Sequence, residues 1–309
     1  MLDSLKSFWN RGLPVERAGY IVGALLLASG LIHAAILAMG GGSWEGPLSL
    51  RKAASFGVSF GLTVTTIVWV ASFLRLGDRA RVVLLRAFTI ASVVETALVT
   101  LQVWRGVPSH FNLETAFDGL VARTLAAGGF VLVAIIVTLT FLAFRSNPTV
   151  PRSLTIAIRI GFVVLVGAVV VGAFMIAKGM ILVFAGEPHA AYATGGALKP
   201  VHAIAMHAIL VLPAVAWLLS FADWSERRRV GIVLVASAGY VMLTAVVAAG
   251  NVMGVDWRQW PAGMIALLSA GALSLLASSM TALSAAAFAP PVRGIQRPQR
   301  SSSRRARPA

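Results

Sequence analysis

A chain of 309 residues that is 58% hydrophobic and only 12% charged, with a mean hydropathy of +0.85, is not an ordinary soluble domain, which carries about twice that charge. Its net charge of +15 comes from 22 Arg and 4 Lys against 11 acids, and in so apolar a chain that excess is a topology signal, not a nucleic-acid footprint. The absence of Cys excludes disulfides, thiolate catalysis, iron–sulfur clusters, c-type haem attachment and Cys-based zinc sites, so metal or haem would rest on His, Met or oxygen ligands.

Residues 1–17 carry Lys6, Arg11 and Arg17 and lack the short apolar core and small-residue cleavage site of a secretory signal, so they read as an amphipathic cytoplasmic lead-in. Eight apolar runs follow, at about Ala18–Met39, Ala53–Leu74, Val82–Trp104, Phe117–Phe144, Leu154–Ala177, Val201–Phe221, Val230–Ala249 and Pro261–Ala289. Each is long enough to cross a ~30 Å hydrocarbon layer as a helix, and none shows the period-two alternation of barrel strands. The fold class is therefore all-α, a polytopic integral membrane bundle of eight transmembrane helices occupying 18–289. Pro213, inside the sixth run near its cytoplasmic half, is a candidate break point in that helix. The tail 290–309, rich in Pro, Ser and Arg, has little to bury and is expected to be disordered, its six arginines suiting anionic lipid heads. The repetition of a Gly-rich loop after the first and fifth spans is too weak to argue for a duplicated four-helix half.

Cations test the span list independently, because short cytoplasmic loops collect Lys and Arg. Nineteen fall on the lead-in, the second, fourth and sixth loops and the tail; six fall on the alternate loops, and Arg123 lies within a span. That split places both termini in the cytoplasm of a bacterial plasma membrane, with Trp44, Trp104, Trp257 and Trp260 at the outer interface and Trp9 and Trp224 at the inner one. The GC-rich bacterial origin rests on the preference for Arg over Lys and the abundance of Ala, Val and Gly.

Ionisable groups within spans are costly and need a partner or a use. At 1.5 Å per residue His33, Glu95, Arg123 and His207 reach one layer in the outer half, with Gln102 and His202 above it. Glu95 and Arg123 lie at matching depth on consecutive antiparallel spans and are expected to pair. Asn112 is placed to cap the fourth span, with Glu114 in its first turn. His110 is a candidate rim ligand, and Arg51 and Lys52 form a basic pair on the outer side, suited to drawing a carboxylate, a quinone or a lipid head into the vestibule. His202 and His207 are about 140° apart on one helix and cannot form a helical zinc pair. His33 with His207 matches the depth that bis-imidazole ligation of haem b, or a metal site, would need.

The stretches Ser-Trp-Glu-Gly-Pro with Arg-Lys following, Arg-Gly-Val-Pro-Ser-His-Phe-Asn, and His-Ala-Ile-Ala-Met-His with Leu-Val-Leu-Pro following resemble signature segments of an uncharacterised multi-pass bacterial membrane protein family. The resemblance spans the first to sixth helices and implies the membrane fold, but brings no activity, cofactor or catalytic residue.

The chain has no phosphate loop, nucleophile elbow, H-E-x-x-H or dinucleotide fingerprint. Three expectations remain: a polar site of His33, Glu95, Gln102, Arg123, His202 and His207 holding a cofactor such as haem b, metal or quinone; a small-solute or proton-coupled transporter; and a non-catalytic subunit of a membrane complex. Clustering of the polar groups towards one face favours the first.

Overall fold

The computed structural model describes residues 1–40, 42–193 (residue 193 by its backbone), 196, 198–288 and 294–298. Its α-helices are α1 (Leu2–Asn10), α2 (Pro14–Gly40), α3 (Arg51–Ala71), α4 (Asp78–Trp104), α5 (Ala116–Ala143), α6 (Arg152–Phe184), α7 (Pro188–Ala193), α8 (Lys199–Leu219), α9 (Glu226–Met253) and α10 (Ala262–Phe288). Among the described residues there is no strand. All but α1 and α7 are long and apolar enough to cross a membrane, giving the eight spans that the sequence predicts. α6, with 33 residues, is about 50 Å long and overshoots a ~30 Å layer. α8 runs unbroken through Pro213, contrary to expectation, because that residue is buried among neighbours that hold the helix together.

The helices form two groups of four. In one, α2 packs on α3 and α4, α3 on α4, and α4 on α5; in the other, α6 packs on α8 and α9, α8 on α9 and α10, and α9 on α10. The groups meet where α5 touches α6 and α3 touches α8. Lipid tails are as apolar as Leu, so helix association in a membrane depends on close backbone approach at small residues. At the α2–α3 crossing a Cβ added to Gly57 would lie 2.5 Å from Gly30 Cα, and at the α9–α10 crossing one added to Gly239 would lie 2.7 Å from Gly271 O. A methyl group at either position would force the helices apart.

The two groups repeat one pattern of contacts and of turn residues. Trp69, Ser72, Phe73, Arg79, Arg81 and Val82 recur as Trp217, Ser220, Phe221, Arg227, Arg229 and Val230, each 148 residues further on. α3 and α8 have 21 residues each and start and stop in that same register. Local geometry repeats as well. Ser72 Oγ donates to Trp69 O and Ser220 Oγ to Trp217 O, both at 2.6 Å, while Arg81 and Arg229 each reach back seven residues, to Leu74 O (3.1 Å) and Ala222 O (2.7 Å). The repeat that the sequence reading set aside is therefore present, as α2–α5 and α6, α8, α9, α10.

At the arginine-rich end the seam between the copies is covered by α1 and by residues 294–298. Phe8 packs edge-on against Trp69 and Phe73. Ser4 joins the two coverings, since its Oγ accepts from Trp217 Nε1 at 3.2 Å and donates to Ile295 O. Ile295 N donates to Ser220 Oγ at 2.9 Å, and Arg297 N to Ser7 Oγ at 3.2 Å. Arg297, 5% exposed, puts Nη2 2.7 and 2.5 Å from the two carboxylate oxygens of Glu16, which also faces Arg81 Nη1 at 3.4 Å and accepts from Leu13 N at 2.6 Å. This part of the tail, expected to be disordered, is ordered because a buried carboxylate gives its arginine a partner that solvent cannot match. The rest of 289–309 lies outside the described residues.

Candidate functional site

His33 is 8% exposed near the end of α2, where the rim residue Trp104 closes over it. Its Nδ1 lies 2.7 Å from Ser29 O, a group that only accepts, so Nδ1 carries the hydrogen and Nε2 accepts from Trp104 Nε1 at 3.0 Å. Both ring nitrogens are engaged. His33 fastens α2 to α4, and ligating a haem iron or a metal would cost it the Trp104 bond.

Gln102, fully buried, belongs to a network that the sequence reading missed. Its Nε2 donates to Asp118 Oδ1 at 2.9 Å, and its Oε1 accepts from Arg105 Nη1. Arg105 also meets Asp118 Oδ1 at 2.6 Å, while Thr115 Oγ1 donates to Asp118 Oδ2 at 2.6 Å. Thr115, not Asn112, caps α5, accepting from Asp118 N at 3.1 Å; Asn112 turns the loop instead, its Oδ1 accepting from Glu114 N. Glu114 precedes the helix and accepts from Tyr192 OH at 3.2 Å. That bond and burial raise the Tyr192 pKa, with burial the larger cause.

Glu95 and Arg123 form no ion pair. Glu95, 4% exposed, turns onto the α5 backbone, where a Cβ on Gly128 would meet its Oε1 at 2.6 Å; that oxygen has no hydrogen-bond partner among the described residues. Arg123 points out of the bundle and folds back towards the start of α5, its Nη2 3.1 Å from the Cβ position of Gly119. The expected match in depth leaves the azimuth open, and Glu95 meets α5 at Gly128, five residues beyond Arg123. Arg123 follows the snorkelling habit of arginines near helix ends.

His202 and His207 lie in the second copy. His202 Nδ1 bonds Ala168 O of α6 at 2.7 Å beside Gly172, and His207 Nδ1 bonds Ala203 O of its own helix at 2.6 Å. Each keeps an Nε2 without a protein partner among the described residues. His33 belongs to the α2–α4 packing and His207 to the other copy, so the expected two-histidine pair is split between halves. No two of the six predicted side chains share a hydrogen bond or ion pair, and no group of three or more metal-ligating side chains occurs among the described residues.

What the structure does bring together is basic. α3 opens with Arg51 and Lys52, and α8, its counterpart, with Lys199; both helices begin at the end opposite the arginine-rich one, and the charges of the three cations act on one another. Arg51 is held by Trp44, donating from Nε to its carbonyl at 2.8 Å with the guanidinium 5.9 Å from the ring centroid. Lys52, half-buried, has no carboxylate partner among the described residues. Glu45 acts on Lys199 from the loop before α3. The loop after α4 crosses the seam above them. His110 rests on Phe56 of α3 with ring centroids 5.9 Å apart, and Phe111, at φ 65°, presses its ring against Gly179 of α6. A positive φ on an aromatic residue is strained and survives because the ring is anchored. Burial, and secondarily the charge of Lys52, lowers the His110 pKa to about 4, so the imidazole is neutral near pH 7.

Comparison with known proteins finds no matching family model, no matching curated protein and no matching solved structure. The chain is an integral membrane protein of eight apolar helices.

Proposed function

We propose that this protein binds a small organic anion, carrying a carboxylate or phosphate, at the seam between its two four-helix copies, and that binding is one step in moving the anion across a bacterial plasma membrane whose cytoplasmic side is the arginine-rich end. The carrying observation is Lys52: a half-buried cation with no carboxylate partner among the described residues, set beside Arg51 and the Lys199 of the other copy. Three like charges at one spot, offset only in part by Glu45, are unfavourable, and a bound anion relieves them. Two helix N-termini add partial positive charge in the same place. Duplicated halves support transport over a resident cofactor, because many transporters place substrate between internal repeats. The α1 and tail covering lies over the opposite end of the seam.

The test is a thermal-shift and titration screen of purified protein against small carboxylates and phosphates, followed by uptake into proteoliposomes. A ligand is expected to bind more weakly as salt rises and to lose at least about fivefold in affinity in Lys52→Gln and Lys199→Gln, one unit charge near a partly buried site being worth about 1 kcal/mol. Equal affinity in both variants and the parent would overturn the reading.

A further inference from the structure

The outer side of α4 and α5 carries a second basic feature, at the arginine-rich end and so at the opposite end from Arg51, Lys52 and Lys199. An open groove of about 450 Å³ lies between these helices, rimmed by Arg75, Arg79 and Arg145 and walled below by Val83, Leu84 and Leu142. Arg75 is held at the rim by donating from Nη1 to Ser146 O at 3.2 Å. The loops beneath it are tied together by Asn147 Nδ2 donating to Phe73 O at 2.7 Å. None of the three guanidinium groups has a carboxylate partner among the described residues, and all three side chains are exposed. Arg86, seven residues beyond Arg79 on the same face of α4, is exposed as well, about 10 Å deeper into the span. An arginine on the outer surface of a span is costly unless it reaches a headgroup, so the face itself calls for an anion at the membrane surface.

We infer that this groove is a specific site for an anionic phospholipid, with the phosphodiester held by Arg75, Arg79 and Arg145 and an acyl chain lying along Val83, Leu84 and Leu142. The two halves of the groove match the two halves of such a lipid. Charge sits where headgroups are, and the apolar wall descends towards the bilayer centre. A soluble phosphate would meet the same arginines but would leave the apolar wall unused. The internal repeat supplies the contrast. In the second copy Asp223 stands where the first has Arg75, while Arg227 matches Arg79, so an acid replaces one of the three cations there. The acid at 223 sets this face of the first half apart from the corresponding turn of the second.

The test uses full-length protein in a neutral detergent, titrated with phosphatidylglycerol, phosphatidylcholine or inorganic phosphate and read by native mass spectrometry and thermal shift. Phosphatidylglycerol is expected to bind at least about tenfold more tightly than phosphatidylcholine, and Arg79→Gln to lose about fivefold of that preference, following about 1 kcal/mol per arginine near an anionic surface. The triple Arg75→Gln/Arg79→Gln/Arg145→Gln variant is expected to lose the preference altogether, and Arg227→Gln to keep it. Should the triple variant fail to fold, Arg79→Gln against Arg227→Gln decides alone. Equal retention of the two lipids, equal losses in Arg79→Gln and Arg227→Gln, or displacement of the lipid by inorganic phosphate at similar concentration overturns the inference.

Discussion

Trp69 and Trp217 meet edge to face, with ring centroids 6.2 Å apart and planes at 83°, and they are the same residue of the two copies. Their contact marks where α3 and α8 lie against each other at the arginine-rich end. Phe8 and Phe221 extend the aromatic cluster on either side, at 6.3 Å from Trp69 and 4.9 Å from Trp217. Trp69→Ala and Trp217→Ala are each expected to cost about 3 kcal/mol, towards the low end for aromatic truncation because both rings are half-buried. The double variant should fall short of the sum by about 1 kcal/mol, the worth of an aromatic pair. Reversible unfolding in mixed micelles measures all three, and strict additivity would mean that the two rings do not interact.

Glu16 serves two arginines, and its removal is expected to be more damaging than the removal of either. Glu16→Gln takes the carboxylate from Arg297 and removes one of several contacts of Arg81, both under 10% exposed, and should cost roughly 3–5 kcal/mol. Arg297→Gln leaves the Arg81 contact intact and should cost less, while making the tail cleavable by added protease. A protease-resistant tail in Arg297→Gln would show that the ion pair is not what holds it.

A double-mutant cycle on Glu95→Ala and Arg123→Ala is expected to give a coupling below about 0.5 kcal/mol, since the two groups face different surroundings. Coupling of 2 kcal/mol or more would restore the buried pair expected from their matching depths.

His110 should make stability depend on pH in one direction only. Its pKa in the folded protein, about 4, lies below the ordinary value near 6.5, so the unfolded chain takes up the proton first. Stability contributed by His110 is therefore complete above about pH 6.5 and is lost as the pH falls towards 4. His110→Phe is expected to flatten the thermal midpoint across that window, and an unchanged slope would assign the pH dependence to other groups.

The spans were legible in the sequence because length and hydropathy are averages over twenty residues, and averages tolerate local error. Azimuth was not. A residue count predicts one layer for Glu95 and Arg123, yet their side chains diverge in direction, and His33 and His207, counted to the same layer, belong to different groups of helices. The Arg105–Gln102–Asp118 network joins a loop residue to two helices, and no periodicity announces it. One overlooked signal was available: the pattern Trp-x-x-Ser-Phe, then an acid at the next helix start followed by Arg-x-x-Val or Arg-x-Arg-Val, occurs at both Trp69 and Trp217. Sequence comparison of whole spans misses it, because lipid-facing residues drift freely among Leu, Ile, Val and Ala while the interhelical turn holds still.

The copies contain four membrane-crossing helices each, and four is even. A head-to-tail fusion of two such units therefore emerges on the side where it began, so the second unit inserts in the orientation of the first without any change to its charged loops. Arg79 with Arg81, and Arg227 with Arg229, sit at corresponding turns at the same end of the molecule, as a topogenic signal that was duplicated intact would require. Had the unit possessed three or five crossings, the second copy would have had to reverse its charge bias to insert. The short turn at 144–151 joins α5 to α6, and co-expression of the chain severed there is the natural way to ask whether the two units still find each other.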